Sequence, residues 1–93
     1  MLNAIYSTQF RKDYKLCQKR GYVMQNLTEV MLDLEVETPL QPKHKVHPLQ
    51  GEYKGCLECH IAPDWLLVYE IDHGILVLIL TSTGTHSGCY TYF

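Results

Sequence analysis

The run WLLVYEIDHGILVLILT, residues 65–81, decides the fold. Two apolar stretches, WLLVYEI (65–71) and ILVLILT (75–81), flank Asp72-His73-Gly74. Each stretch is short, rich in aromatic and β-branched residues, and bounded by turn formers. That pattern predicts two strands joined as a hairpin. The near-continuous apolar run Ile75 to Leu80 predicts a strand covered on both faces.

Working outward, Pro63 separates this hairpin from residues 52–61. There Tyr53, Leu57, Cys59 and Ile61 alternate as one face of another strand. At the N-terminus, Leu2 to Tyr6 reads as a short strand. Ser7 or Thr8 then offers an N-cap. A first helix is expected to about Arg20, with Gly21 as its stop. Phe10, Tyr14 and Cys17 fall on one face of it, and Arg11, Lys12, Lys15 and Lys19 on the opposite face. A second helix is expected from about Val23 to Val36, with an apolar stripe of Met24, Leu27, Val30, Met31 and Leu34. Pro39 and Pro42 end it and open a surface loop, TPLQPKHKVHPLQG (38–51). Gly84 and Gly88 bracket a last loop before an aromatic tail, Tyr90, Tyr92 and Phe93. The fold class expected is α+β, two N-terminal helices packed on an antiparallel sheet, as one domain over residues 1–93.

Composition bounds the function. The chain is 46% hydrophobic and 19% charged, which describes a folded protein and not a disordered one. No apolar run approaches the roughly 20 residues of a membrane-spanning helix. The start, MLNAIYSTQFRKDYK, lacks the charged-then-apolar order of a signal peptide, so a cytoplasmic location and reduced cysteines are expected. The net charge of −2 excludes bulk electrostatic capture of nucleic acid. The charge is nevertheless polarised. All eight lysines and arginines lie between Arg11 and Lys54, and from Gly55 onward there are four acids and no such base. A local basic surface follows from that asymmetry.

Two motifs invite chemistry. CLECH (56–60) spells a haem-attachment pattern. It falls in an expected strand, where Cys56 and Cys59 point to opposite faces, which opposes both haem attachment and shared metal ligation. The four cysteines read as structural thiols. The histidines are more informative. His47 precedes a proline in the long loop, His60 ends one strand with Asp64 opening the next, and His86 lies in the loop leaving the hairpin. His44 and His73 read as surface residues. Imidazoles and a carboxylate held at strand ends suit proton transfer near neutral pH. Cleavage of RNA by its own 2′-hydroxyl needs only such groups, with no metal, and benefits from a cation beside the phosphate.

HPLQGEYKG (47–55), ECHIAPDWLLVY (58–69) and TGTHS (83–87) occur in this order and at this spacing. Together they resemble the YafQ branch of the RelE-like toxins of bacterial toxin–antitoxin systems, over nearly the whole chain. The resemblance implies two helices on a curved antiparallel sheet. It implies a metal-independent endoribonuclease that cuts messenger RNA in the ribosomal A site and is silenced by a cognate antitoxin. By position, His47, His60, Asp64 and His86 match its proton-transfer residues. Trp65 and Tyr90 match site aromatics, with Phe93 as a second match for the latter. Lys45 and Lys54 lie where phosphate contacts are expected. No metal or haem cofactor is implied. The family often carries an arginine where this chain has Leu57, and another where it has Ser82. Their absence leaves an alternative open: an antitoxin-binding module of the same fold that cuts little RNA.

Overall fold

The computed structural model describes residues 1–84. The hairpin expected from residues 65–81 is its centre: β4 (Trp65–Asp72) pairs antiparallel with β5 (Val77–Gly84). Around it are β1 (Asn3–Tyr6), α1 (Thr8–Lys19), α2 (Met24–Glu35), a two-residue strand β2 (His47–Pro48) and β3 (Leu57–Ala62). The sheet order is β1-β5-β4-β3-β2.

Both faces of β4 are buried, which is why its sequence is continuously apolar. Trp65, Leu67 and Tyr69 face the helices and join Leu2, Phe10, Leu27, Val30 and Leu34 in the main core. Leu66 and Val68 point the other way and pack with Leu49, Tyr53 and Cys56 in a smaller cluster. The helices thus cover one face of the sheet, and the chain from 49 to 56 partly covers the other.

The helix ends follow their expected caps. The Phe10 amide donates to Ser7 Oγ at 2.9 Å. At the other end, Tyr22 N donates to Cys17 O and Gly21 N to Gln18 O, with Gly21 at φ 77°. This is the paired closure that a left-handed glycine permits. It delivers Tyr22 edge-on to Trp65, with ring centroids 5.0 Å apart.

Three expectations need amending. The pairings among β2, β3, β4 and β5 are antiparallel, but β1 runs parallel to β5, so the five-stranded sheet is mixed. Two helices separate β1 from the remaining strands, and that long connection leaves its direction free where a tight hairpin would not. Second, β5 begins at Val77 and not at Ile75. Asp72 Oδ1 accepts from the amides of Gly74 (2.9 Å) and Ile75 (3.4 Å), which lengthens the turn and leaves Ile75 and Leu76 exposed. Third, Tyr53 does not share a face with Cys59. A single 3₁₀ turn (Gly51–Tyr53) followed by Gly55 at φ 97° resets the alternation, so Tyr53 joins the outer cluster.

A bulge in β5 positions its end. Val68 pairs with Ser82 but Tyr69 with Leu80, leaving Thr81 as the extra residue. The parity switch turns Thr83 inward. Its hydroxyl donates to Leu66 O (2.8 Å) and accepts from Trp65 Nε1 (2.9 Å). Its amide donates to Asp13 Oδ2 at 3.2 Å. Asp13, a carboxylate buried on α1, also accepts from Gln9 Nε2 at 2.8 Å.

Candidate functional site

The face of the sheet turned away from the helices carries the site. His47 on β2 pairs across to Glu58 on β3, and Glu58 and His60 are two apart on one strand. All three side chains therefore share a face. Their ligating atoms lie within 4.8 Å of one another, and the two rings are 6.3 Å apart by centroid. Leu66 and Val68 lie beside them as the cross-strand partners of His60 and Glu58.

Backbone carbonyls fix the imidazoles. A carbonyl only accepts, so each nitrogen facing one carries hydrogen. His47 Nδ1 donates to Lys45 O at 3.0 Å, and His60 Nδ1 donates to Pro63 O at 3.2 Å. In each ring Nε2 is the nitrogen left for a further partner. His47 Nε2 sits 3.0 Å from Glu58 Oε1, with the carboxyl side chain only 4% exposed. Lys45 stands at φ 46°, the left-handed region, where it ends a 3₁₀ turn (Pro42–His44). This uncommon backbone turn aims its carbonyl at His47.

Asp64 is exposed in the two-residue turn between β3 and β4. Among the described residues no hydrogen bond joins it to His60; the carbonyl of Pro63, in the same turn, holds that ring. Lys45 and Lys54 are both exposed. Trp65 is 4% exposed, with its ring against Tyr22 and its N–H on Thr83, so it belongs to the core and presents no free face for stacking. His86, Tyr90 and Phe93 lie outside the described residues. His73 is a surface residue, paired with Glu37 at 2.6 Å. His44, expected at the surface, is half-buried, and its Nδ1 donates to the carbonyl of His60 at 2.7 Å.

Glu58 is the member that sequence reading passed over. The signal was present in ECH, since a residue two before His60 on a strand must share its face. The positions of the two absent arginines are also clear. Leu57 packs against the helix-side core, whereas Ser82 lies on the outer face, 1% exposed, with a hydroxyl that has no hydrogen-bond partner among the described residues.

The cysteines divide as expected. Cys56 belongs to the outer cluster and Cys59 to the helix-side core, so CLECH cannot present both thiols to one group. Burial, and then the charge of Glu58, push the Cys59 thiol up to about 12. Burial and the nearby Glu70 carboxylate raise Cys56 as well. Cys17, Cys56 and Cys59 are all free thiols; Cys89 lies outside the described residues. His47, Glu58 and His60 do form a set that could ligate a cation through two nitrogens and one oxygen.

Comparison with known proteins places this geometry. A model of the bacterial YafQ toxins of type II toxin–antitoxin systems matches residues 2–90. The mRNA interferase toxin YafQ of Escherichia coli K12 is 42% identical over 86 residues, covering 91% of each chain. YafQ in the E. coli DinJ–YafQ complex superposes with a TM-score of 0.84 at 40% identity, covering 94% of this chain and 96% of that one. A metal-bound toxin from Helicobacter pylori gives 0.89 at 42% identity, over 97% and 100% of the two chains. On this evidence the chain belongs to the YafQ family of bacterial type II toxin–antitoxin toxins.

Proposed function

We propose that this protein is an endoribonuclease that cuts messenger RNA on the ribosome, acts in the cytoplasm, and is silenced by a cognate antitoxin. The observation that carries the reading is the convergence of His47, Glu58 and His60 on one sheet face, with Nδ1 of each ring held by a backbone carbonyl. The relatives named mRNA interferases support the same chemistry.

The reaction needs two proton transfers. His60 Nε2 takes the proton of the 2′-hydroxyl, and the freed oxygen attacks the adjacent phosphorus. The bond to the 5′ oxygen breaks, and that oxygen takes a proton from His86. The products are a 2′,3′-cyclic phosphate and a 5′-hydroxyl. No metal is needed, because the substrate supplies the nucleophile. His47, paired with Glu58 at 3.0 Å, borders the phosphate position, and Lys45 and Lys54 supply a positive field there. Asp64, one turn from His60, sets the local field, and Tyr90 is the aromatic available to stack a base.

His86 lies two residues beyond Gly84. Gly84 pairs with Leu66, which pairs with His60 on its other side. His86 itself lies outside the described residues, and its role here rests on its matching position in the family's pattern. The antitoxin meets the exposed basic face of α1, Arg11, Lys12, Lys15 and Lys19. Charge reversal there weakens the complex and reduces its salt sensitivity.

The test is induced expression without antitoxin, with message ends mapped on translating ribosomes. Growth arrest with cleavage leaving 2′,3′-cyclic phosphates is expected. Antitoxin binding without cleavage would instead favour the inert module, in which Leu57 and Ser82 replace needed cations.

A further inference from the structure

Beside His60 the chain forms a second feature that the proton-transfer scheme leaves unused. A cavity of about 370 Å³ is lined by Lys43, His44, Lys45, His60, Ala62 and Pro63, among others. That volume lies within the usual range of small-molecule sites. His60 belongs both to this cavity and to the group with His47 and Glu58. A polymer whose scissile phosphate sits at His60 must therefore pass into or along the cavity.

The lining fits a nucleotide. Lys43 and Lys45 are exposed and bring two positive charges to one wall. Ala62 and Pro63 give an apolar wall. His44 is half-buried, and its Nδ1–H is committed to the His60 carbonyl at 2.7 Å. Its Nε2 is thereby the nitrogen left to receive a hydrogen bond when neutral, or to donate one when cationic. On their far side, Lys43 and His44 border a groove that also holds Glu29 and Asp33. Those carboxylates repel a phosphate, so the phosphate path runs on the His60 and Lys45 side.

We infer that this cavity is a subsite for the RNA nucleotide adjoining the scissile phosphate, with His44 Nε2 contacting the base and Lys43 and Lys45 the phosphate. The inference rests on the endoribonuclease reading and adds a binding function for His44. The same His44–His60 bond gives a purely structural account, and the experiment must separate the two.

His44→Asn does so. The asparagine N–H replaces Nδ1–H toward the His60 carbonyl, but nothing replaces Nε2. Lys43→Gln removes the charge without touching His60. Cleavage of ribosome-bound message is followed at a series of toxin concentrations under single turnover. Both variants are expected to need about tenfold more protein for half-saturation, the worth of one good hydrogen bond or phosphate contact. The saturating rate should stay within about threefold of wild type, as expected when uniform binding is lost and chemistry is not. Unchanged half-saturation in His44→Asn would overturn the subsite. So would a fall in the saturating rate alone, which would make His44 a positioning residue for His60. If the wild type cuts nothing, the endoribonuclease reading fails by itself. Binding of an uncleavable 2′-O-methyl RNA oligonucleotide, read by anisotropy, then decides the subsite. Equal affinity for wild type and His44→Asn would overturn it, and weaker binding by the variant would uphold it.

Discussion

The two faces of the sheet are built from the same strands and differ in almost everything else. On the helix side, Trp65, Leu67, Tyr69, Leu78 and Leu80 are packed under α1 and α2, and the polar groups of Trp65 and Thr83 are mutually satisfied. On the outer side, Leu49, Leu66 and Val68 form only a small cluster. Around it stand a buried carboxylate, two imidazoles, and a buried Ser82 hydroxyl without a partner among the described residues. Strand parity gives one face to the core, and under the proposed function the other carries the chemistry. Substitutions one residue apart on β3 or β4 should therefore have different kinds of effect.

The largest stability effect should come from the helix side. Leu67→Ala empties a fully buried position and should cost about 2–5 kcal/mol. Denaturant unfolding measures it, and the loss of cleavage should track only the loss of folded protein. A fall in rate with no fall in stability would break the division between the faces.

Asp13 sharpens the comparison, because it links the helix side to the exit of β5. Asp13→Ala leaves the buried Thr83 amide without its acceptor and should cost about 1–3 kcal/mol. Asp13→Asn keeps an acceptor and should cost less. Thermal unfolding of the two variants gives the order, and equal losses would mean that the hydrogen bond contributes nothing beyond the charge.

Smaller effects belong to the outer face. Zinc added in excess should engage His47, Glu58 and His60 and, by occupying the proposed base His60, suppress cleavage until a chelator removes it. Zinc titration of His60→Ala binding by calorimetry should show weaker uptake than wild type. Unchanged uptake would place any bound zinc elsewhere. The smallest response should be that of Cys59. A thiol pushed up to about 12 holds almost no thiolate at neutral or mildly alkaline pH. Iodoacetamide should leave it unmodified in the native protein and label it only after unfolding.

How much of this was legible in the sequence depends on how local each cause is. The α1 boundaries were legible because Ser7 and Gly21 end the helix through contacts a few residues away. His47 was legible from its place beside a proline, and His60 was expected to end its strand but lies inside β3, which runs on to Ala62. Glu58 was legible in principle from its spacing to His60. Trp65 was not. Its N–H finds Thr83 only because a bulge at Thr81 turns that residue inward, and the bulge depends on pairing between strands. The parallel run of β1 and the packing of His44 onto the His60 carbonyl are likewise non-local. Strand alternation failed at Tyr53 for a local reason, the left-handed Gly55, which sequence alone did not flag.

The most direct test of the account is the single-turnover rate of cleavage of ribosome-bound message by wild type, His60→Ala and His86→Ala. If the imidazoles move protons in the transition state, each variant should lose roughly 10²–10⁴-fold in rate. Unfolding midpoint and antitoxin affinity should stay near wild type in His60→Ala, since that side chain does not belong to the main core. A wild type no faster than His60→Ala would contradict the assignment of the outer face to catalysis.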